Sequence, residues 1–303
     1  MVESKSIIIR VPATTANLGP GFDCLGLALD IWNETKFDLM GDALSINISG
    51  EGAGILPKND ENLIYKCFQE LAERFNFDMP SGLVIRCCNK IPISSGLGSS
   101  SAAVISGLLA CRALLNINIS DHDLLKIGYE FEGHLDNITA CLYGGFSITA
   151  FDNEEIITKI FSINQQHIVI VLPELSFSTM DARQILPKKV RLSDAVFNIS
   201  HTALLTHALY EGDMHLLKKS MEDRLHQNDR IKLIPGAANA IKAAQKAGAI
   251  GAVLSGAGPG IIAFTDVKKM KNIAGVMVEA FRDQGLQTRT FFTTTTNIGT
   301  LLV

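Results

Sequence analysis

Lys90-Ile91-Pro92-Ile93-Ser94-Ser95-Gly96-Leu97-Gly98-Ser99-Ser100-Ser101-Ala102-Ala103 is the stretch whose reading decides the fold. A proline-bearing turn runs into two glycines, then three serines, then an Ala- and Leu-rich segment with helical spacing out to Leu115. This is the pattern of a glycine-rich loop feeding a helix N-terminus. First-turn amides of a helix lack intrahelical acceptors and the helix dipole favours negative charge there, so such a loop suits polyphosphate. Without Cβ atoms, Gly96 and Gly98 let the loop curl with φ > 0 and let a phosphate approach the backbone. The hydroxyls of Ser99, Ser100 and Ser101 can cap the helix, bond a phosphate oxygen or reach Mg²⁺. No lysine follows the second glycine, so the G-x-x-x-x-G-K-[ST] loop is excluded. The run also nearly matches G-x-G-x-x-G, with Asp121 about 20 residues on where a ribose-binding acid can sit. Against that, the third glycine is Ser101, and Asn89 to Ser95 separates the preceding strand from the glycines. A serine-nucleophile elbow needs G-x-S-x-G, which is absent. The plain structural alternative is a small-residue turn before a packed helix.

Working outward, 303 residues fit one large or two ordinary domains. A hydrophobic content of 47% with 19% charged residues is that of a soluble globular protein without disordered tracts. The net charge of −4, with both signs interspersed, argues against nucleic acid as the main partner. Cys24, Cys67, Cys87, Cys88, Cys111 and Cys141 sit in apolar contexts without C-x-x-C spacing, and read as reduced, buried thiols of a cytoplasmic protein. The N-terminus lacks an apolar run and no stretch of ~20 apolar residues follows, so neither a signal peptide nor a membrane span is expected.

Ser6 to Val11 reads as a strand ended by Pro12. The small-residue loop Pro12 to Asp23 must bend sharply near the body of the fold, with Asn17 and Asp23 either facing a cleft or bonding their own backbone. Leu25–Leu29, Thr35–Leu39 and Leu44–Ile48 read as further strands of an antiparallel start. Apolar residues recurring every three or four places make 59–76 an amphipathic helix. Gly82–Cys88 is the strand before the glycine loop. Ser120 opens a capping box with Asp123, and that helix runs to Glu132. Its end carries Glu130-Phe131-Glu132-Gly133-His134-Leu135-Asp136-Asn137. Acids at a helix C-terminus oppose the dipole by roughly 0.3–1 kcal/mol, which Mg²⁺ coordination would explain and a solvated acidic face would not need to. A strand at Phe146–Phe151 precedes a polar turn, which places a domain boundary near residue 160. Beyond it, a strand at His167–Leu172, helical material at Asp194–Leu217 and Ala237–Ala247, strands at Ile250–Leu254 and Ile261–Thr265, a helix over Val267–Gln284 and a strand at Thr288–Thr294 give the split βαβ order of a ferredoxin-like domain. Ser255-Gly256-Ala257-Gly258-Pro259-Gly260 joins the two middle strands, and six small residues there point to close backbone approach or to a longer glycine hairpin.

Taken together, the Pro12–Asp23 loop, the Ile91–Ala103 loop of form P-x-x-x-G-L-G-S-S and the Ser255–Gly260 loop, in this order, resemble the GHMP kinase family over nearly the whole chain. The likeness is tightest to the members acting on homoserine, through Val11–Asp23, Glu132–Asn137 with Leu135 in place of the usual proline, Thr179-Met180-Asp181-Ala182-Arg183, and Arg230 ahead of Leu233-Ile234-Pro235-Gly236. The resemblance implies an α+β, two-domain fold: residues 1–160 as a ribosomal-S5-domain-2-like N-terminal unit and residues 161–303 as a ferredoxin-like C-terminal unit. It implies ATP and Mg²⁺, with nucleotide at Pro92, Ile93, Ser94, Ser95, Gly96, Leu97, Gly98, Ser99, Ser100, Ser101, Ala102, Gly256 and Gly258. It places the amino-acid substrate at Asn17, Asp23, Asp136, Thr179, Arg183 and Arg230, and Mg²⁺ at Ser100 and Glu132, with Glu130 the rival of Glu132. Asp136, Asp23 and Glu132 are the catalytic candidates, Asp136 or Asp23 being the base if one is used. The adenine is expected near Asn59–Leu63.

The chemistry is coherent. A zwitterion with one hydroxyl needs an anion clamp, which Arg183 and Arg230 can form, and an acceptor for its ammonium. Phosphoryl transfer from ATP then needs in-line positioning and charge neutralisation. The same family also phosphorylates mevalonate, a diphosphocytidyl sugar alcohol or shikimate, and a non-catalytic metabolite sensor or a nicotinamide-binding dehydrogenase are the readings from other classes. Retention of Ser100, Glu132 and Asp136 argues for catalysis. The partners are small molecules, with no nucleic acid and no membrane; the residues do not fix an oligomeric state, a homodimer being the one assembly entertained.

Overall fold

The computed structural model describes residues 5–152, 155–175 and 178–303. Along the chain run β1 (Ser6–Ala16), β2 (Leu25–Asp38), β3 (Leu44–Gly50), α1 (Leu63–Arg74), β4 (Leu83–Asn89), α2 (Ser99–Leu114), α3 (Asp121–Glu132), α4 (Asp136–Tyr143), β5 (Phe146–Asp152) and β6 (Glu155–Phe161). There follow β7 (His167–Pro173), α5 (Thr179–Gln184), α6 (Leu192–Glu211), α7 (Met214–Ser220), α8 (Gln227–Arg230), α9 (Ala237–Lys246), β8 (Gly251–Leu254), β9 (Ile261–Thr265), α10 (Met270–Arg282), β10 (Thr288–Thr294) and β11 (Leu301–Leu302).

Two sheets organise these elements. The first has the order β11-β1-β2-β4-β3, with β5 pairing both β2 and β6, and α1 to α4 pack on it. The second, β10-β7-β9-β8, is antiparallel throughout and carries α9 and α10. That order is the ferredoxin-like one expected, with α5 to α8 inserted ahead of α9. Helix α2 is apolar on nearly every side because it is the centre of the first core, with Val104, Ile105, Leu108, Leu109 and Leu114 all buried. Val169, Val171, Ile241, Ile273 and Phe281 build the second core.

Several expectations are corrected. Pro12 does not end the first strand: β1 runs on to Ala16, the irregularity falling between Pro12 and Ala13. Opposite it β2 is one long strand rather than two, with Asp30 and Ile31 bulged between Leu29 and Trp32. The start is not purely antiparallel, since β3 and β4 run parallel. Glu130 to Asn137 is not one helix end. Gly133, at φ 74°, closes α3, and Asp136 opens α4. Strands β6 and β11 were not foreseen, and β11 brings the chain's end back to β1 of the first sheet. Nor are all cysteines buried: Cys88 is exposed and Cys24 half-buried, while all six are free thiols.

Candidate active site

Three loops from distant parts of the sequence interlock where the two sheets meet. Ser255 Oγ donates to the Gly96 carbonyl at 2.7 Å and lies 2.9 Å from Thr15 Oγ1. Gly260 N–H donates to Ser95 O, Gly256 N–H to Ala16 O, and Asn17 Nδ2 to Gly256 O. Gly96 is required by this contact: a Cβ there would stand 2.1 Å from Ser255 O, and its φ is +78°. Gly98 is the N-cap of α2, at φ 70°, and its place is set by Thr14, whose Oγ1 would lie 2.0 Å from a Cβ. Ser99, Ser100 and Ser101, the first turn of α2, therefore line a cavity of about 430 Å³, an arrangement suited to an anion. Gly98→Ala should cost roughly 1–2 kcal/mol for the left-handed backbone and about 1–3 kcal/mol more for the clash. Urea unfolding measures that loss, and a midpoint unchanged from wild type would show that the loop relaxes freely.

At one end of the cavity two arginines converge on Phe22. Arg183 forms a two-pronged bond to Asp23, Nη1 and Nη2 each 2.8 Å from a carboxylate oxygen, and lies 5.7 Å from the Phe22 ring. Arg230 is 1% exposed and 5.0 Å from the same ring. Its Nε donates to Ala182 O and its Nη1 to Gly256 O, both at 3.2 Å. Among the described residues it has no carboxylate partner, and burial pulls it down to about 10. Asn17 and Asp23 hold positive φ values of 69° and 53°, fixed by the bond from Asp23 N–H to Asn17 Oδ1.

Behind Arg230 sits a polar cluster that was not foreseen. His226 stacks on Phe22 at 4.9 Å, its Nε2 bonds the Gly19 carbonyl at 2.8 Å, and its Nδ1 faces Arg230 Nη1 at 3.3 Å. The carbonyl requires Nε2–H, so Nδ1 is the acceptor and the ring is neutral. Asp223 is buried and fully used, accepting from Asn198 Nδ2 and from the amides of Leu225, His226 and Gln227. Burial and the Arg230 charge hold His226 below its ordinary 6.5 despite Asp223. Below pH 6.5 the unfolded chain then binds a proton that the folded ring refuses, so stability is full above 6.5 and falls as acid is added. We expect a loss approaching about 1.4 kcal/mol per pH unit below that point until the folded ring titrates, read as wild type minus His226→Asn in urea at pH 7 and pH 5.5. Equal slopes for the two proteins would sink it.

At the head of α2, Ser100 Oγ and Ser101 Oγ both donate to Glu132 Oε2 at 2.9 Å. Glu130 points elsewhere, into a surface pair with Arg74. His134 bridges the acids: Nδ1 is 3.0 Å from Asp136 Oδ1 and Nε2 is 3.9 Å from Glu132 Oε2. Burial is the largest influence on His134 and disfavours its cation, but the bond to Asp136 together with the Asp136 and Glu132 charges outweighs it, and the net shift is upward. Asp136, 2% exposed, has Oδ1 filled by His134 and by Asn137 N and Nδ2. Its other oxygen has no partner among the described residues. One carboxylate and two hydroxyls make an oxygen set that suits Mg²⁺, which takes few protein ligands and completes its shell from water and phosphates. Among the described residues no group of three or more His, Cys, Asp or Glu gathers to hold a metal unaided.

The cavity thus brings together Asn17, Asp23, Glu132, Asp136, Arg183 and Arg230 with Ile93 to Gly96, Gly98 to Ala102, Gly256 and Gly258. Pro92 and Leu97 do not line it: Pro92 O accepts from Ser95 Oγ, and Leu97 is in the core. Gly256 and Gly258 spend their amides inside the protein, on Ala16 O and Ser255 O, and so contribute close backbone approach. Thr179 opens α5, and its side chain lies outside the described residues. Asn33, Thr35, Leu56, Pro57, Asn62 and Cys87 line the cavity as well; the 59–63 segment expected there is the turn into α1, with Asn62 its cap.

Residues 62–145 match the GHMP kinases N terminal domain, and residues 205–283 match the GHMP kinases C terminal model. The homoserine kinase of Halothermothrix orenii is 40% identical over 299 residues, spanning 97% of this chain and 95% of the relative. That of Desulfitobacterium hafniense is 34% identical over 296 residues, spanning 97% and 99%. The crystal structure of homoserine kinase from Cytophaga hutchinsonii superposes with a TM-score of 0.86 at 30% identity, over 100% of this chain and 99% of that one. The L. major mevalonate kinase in complex with R-mevalonate, at 16% identity and a TM-score of 0.69 over 97% of this chain and 96% of its own, shares the fold.

Proposed function

Since the chain belongs to the GHMP kinase family, within its homoserine kinase branch, we propose that it transfers the γ-phosphoryl group of ATP to the hydroxyl of L-homoserine. The products are ADP and O-phospho-L-homoserine, a step of threonine biosynthesis. The observation that carries the amino-acid half of this reading is Arg230: a buried guanidinium with no carboxylate partner among the described residues, beside an arginine already matched to Asp23. A substrate carboxylate supplies the missing anion, and Asp23 with Asn17 faces its ammonium. The shikimate, mevalonate and diphosphocytidyl sugar-alcohol readings, and the sensor reading, are not favoured.

The residues divide the work by geometry. The first-turn amides of α2 and the Ser94–Gly98 loop receive the triphosphate, and the wall around Asn62 and Pro57 receives the adenosine. Ser100 and Glu132 would hold Mg²⁺, which supplies charge neutralisation on the β- and γ-phosphates. Arg230, Phe22 and Arg183 fix the amino-acid end so that its hydroxyl oxygen lies in line with the γ-phosphorus. As the new O–P bond forms, the bond to the β-phosphate oxygen breaks and ADP leaves. The hydroxyl proton passes to the free oxygen of Asp136, because both oxygens of Asp23 are occupied by Arg183.

We divide the chain near residue 160, between β6 and β7, with the cavity shared by both parts, and place the reaction in the cytoplasm, where free thiols persist. No helix of the described residues is long and apolar enough to cross a membrane. ADP release with ATP and L-homoserine, set against mevalonate and shikimate, tests the assignment: homoserine should be preferred by at least about 10²-fold in kcat/KM, since the others lack the ammonium that Asp23 and Asn17 face. Equal rates with all three would overturn it.

A further inference from the structure

Arg230 carries five N–H groups, and the fold has spent three of them. Its Nε–H goes to the Ala182 carbonyl, and Nη1 goes to the Gly256 carbonyl and to His226 Nδ1, at 3.2 and 3.3 Å. Nη2 has no partner among the described residues, and Arg230 lines the cavity. A guanidinium is planar, so whatever grips Nε and Nη1 also decides where Nη2 points. Two of the three acceptors are main-chain carbonyls, and Gly256 O is shared with Asn17 Nδ2, which donates to it at 2.9 Å. The third is a side chain, itself held on several sides. The His226 amide donates to Asp223 Oδ2, Nε2–H donates to Gly19 O at 2.8 Å, and the ring stacks on Phe22 with 25° between the planes. At 1% exposure His226 lies behind Arg230 and off the cavity wall.

We propose that His226 is a positioning residue for the amino-acid substrate: as a neutral acceptor it fixes the guanidinium of Arg230 so that Nη2 meets the substrate carboxylate. This rests on the reading of Arg230 as the carboxylate site. The neutrality of the ring is what suits it to the task. An acid at this position would also orient Arg230, but it would cancel the charge that the substrate has to answer, whereas a ring nitrogen orients the cation and leaves its charge in place. With Nε and Nη1 already bonded, the carboxylate is held through one nitrogen and has no second prong of Arg230 to move to. Rotation of the guanidinium plane therefore weakens the hold on the amino-acid end directly. The triphosphate end of the cavity, built from the start of α2, is untouched by it.

Steady-state kinetics of the full chain tests this role. An asparagine amide can set its oxygen where Nδ1 now lies, whereas a glutamine amide reaches the Nε2 position and leaves Arg230 Nη1 without that acceptor. His226→Gln should therefore raise the KM for L-homoserine about tenfold or more, the loss of one hydrogen bond to a charged group, with kcat and the KM for ATP within about threefold of wild type. His226→Asn should stay within about threefold of wild type in all three. With L-homoserine amide, which has no carboxylate to place, wild type and His226→Gln should have equal kcat/KM, a result that a general loosening of the fold would not give. Should His226→Gln not fold, His226→Leu, of similar bulk and without either ring nitrogen, carries the same expectation. Arg230→Met in the same assay separates this role from the site it serves. If Arg230→Met leaves the KM for homoserine unchanged, the carboxylate site itself is wrong. A KM raised in Arg230→Met but unchanged in His226→Gln overturns the positioning role alone, and so does a His226→Asn as impaired as His226→Gln.

Discussion

Arg230→Met is expected to leave the fold standing and to raise the KM for L-homoserine by a hundredfold or more, with the KM for ATP within a few-fold of wild type. Among the described residues the buried guanidinium has carbonyls, a histidine nitrogen and a ring face for partners, and burial has already pulled its pKa down to about 10. Removing such a charge relieves a desolvation cost, so the variant should unfold within about 2 kcal/mol of wild type in urea. Binding is another matter. Losing one side of a buried charge pair costs about 2–5 kcal/mol, which is some 30- to several thousand-fold in affinity. Arg230→Lys should recover little, because an ammonium cannot reproduce the fork that now holds Ala182 O and Gly256 O. Arg183→Met should cost less in affinity, since Asp23 already occupies both its prongs. A KM for homoserine within threefold of wild type would falsify the carboxylate assignment.

Asp136→Asn should lower kcat at saturating substrates by about 10²-fold or more, the contribution a general base usually makes. The substitution keeps size and keeps one carbonyl oxygen for His134 and the two Asn137 donors, so α4 should still start where it does. What it removes is the charge and the basicity of the oxygen that faces the cavity. Single-turnover measurements locate the loss in the chemical step, and the two KM values should move little. If kcat stays within about threefold, Asp136 positions the hydroxyl without accepting its proton, and transfer proceeds with the charge neutralisation at α2 alone.

Much of this site was legible before any coordinates. Helical spacing after Gly98, and the turn residues before it, specify a loop entering a helix, and the loop is found where it was read because nothing local competes with it. The alternation and β-branched content of 167–172, 250–254, 261–265 and 288–294 likewise gave the second sheet. Other features were half legible. Glu130 and Glu132 stand two residues apart on a helix, about 200° around its axis, so they had to face opposite ways. Which one faced the serines depended on Arg74, which lies 56 residues earlier and captures Glu130. His226 and Arg230 carried a visible signal, a histidine four residues before an arginine, yet its meaning came only with Phe22 and Gly19 stacked and bonded against it from the start of the chain. Strands β6 and β11 went unread because short edge segments owe their conformation to the strand beside them.

By itself the sequence determined the fold class, the glycine loop that enters a helix and the residue types of the proposed amino-acid site, because periodicity and glycine placement act within a few residues. Only the tertiary structure decided that Asp23 pairs with Arg183 while Arg230 has no carboxylate partner among the described residues, and that one oxygen of Asp136 has no partner among them. Those outcomes depend on which charges meet across the fold, and Coulomb and desolvation energies are set by distance and burial rather than by position along the chain.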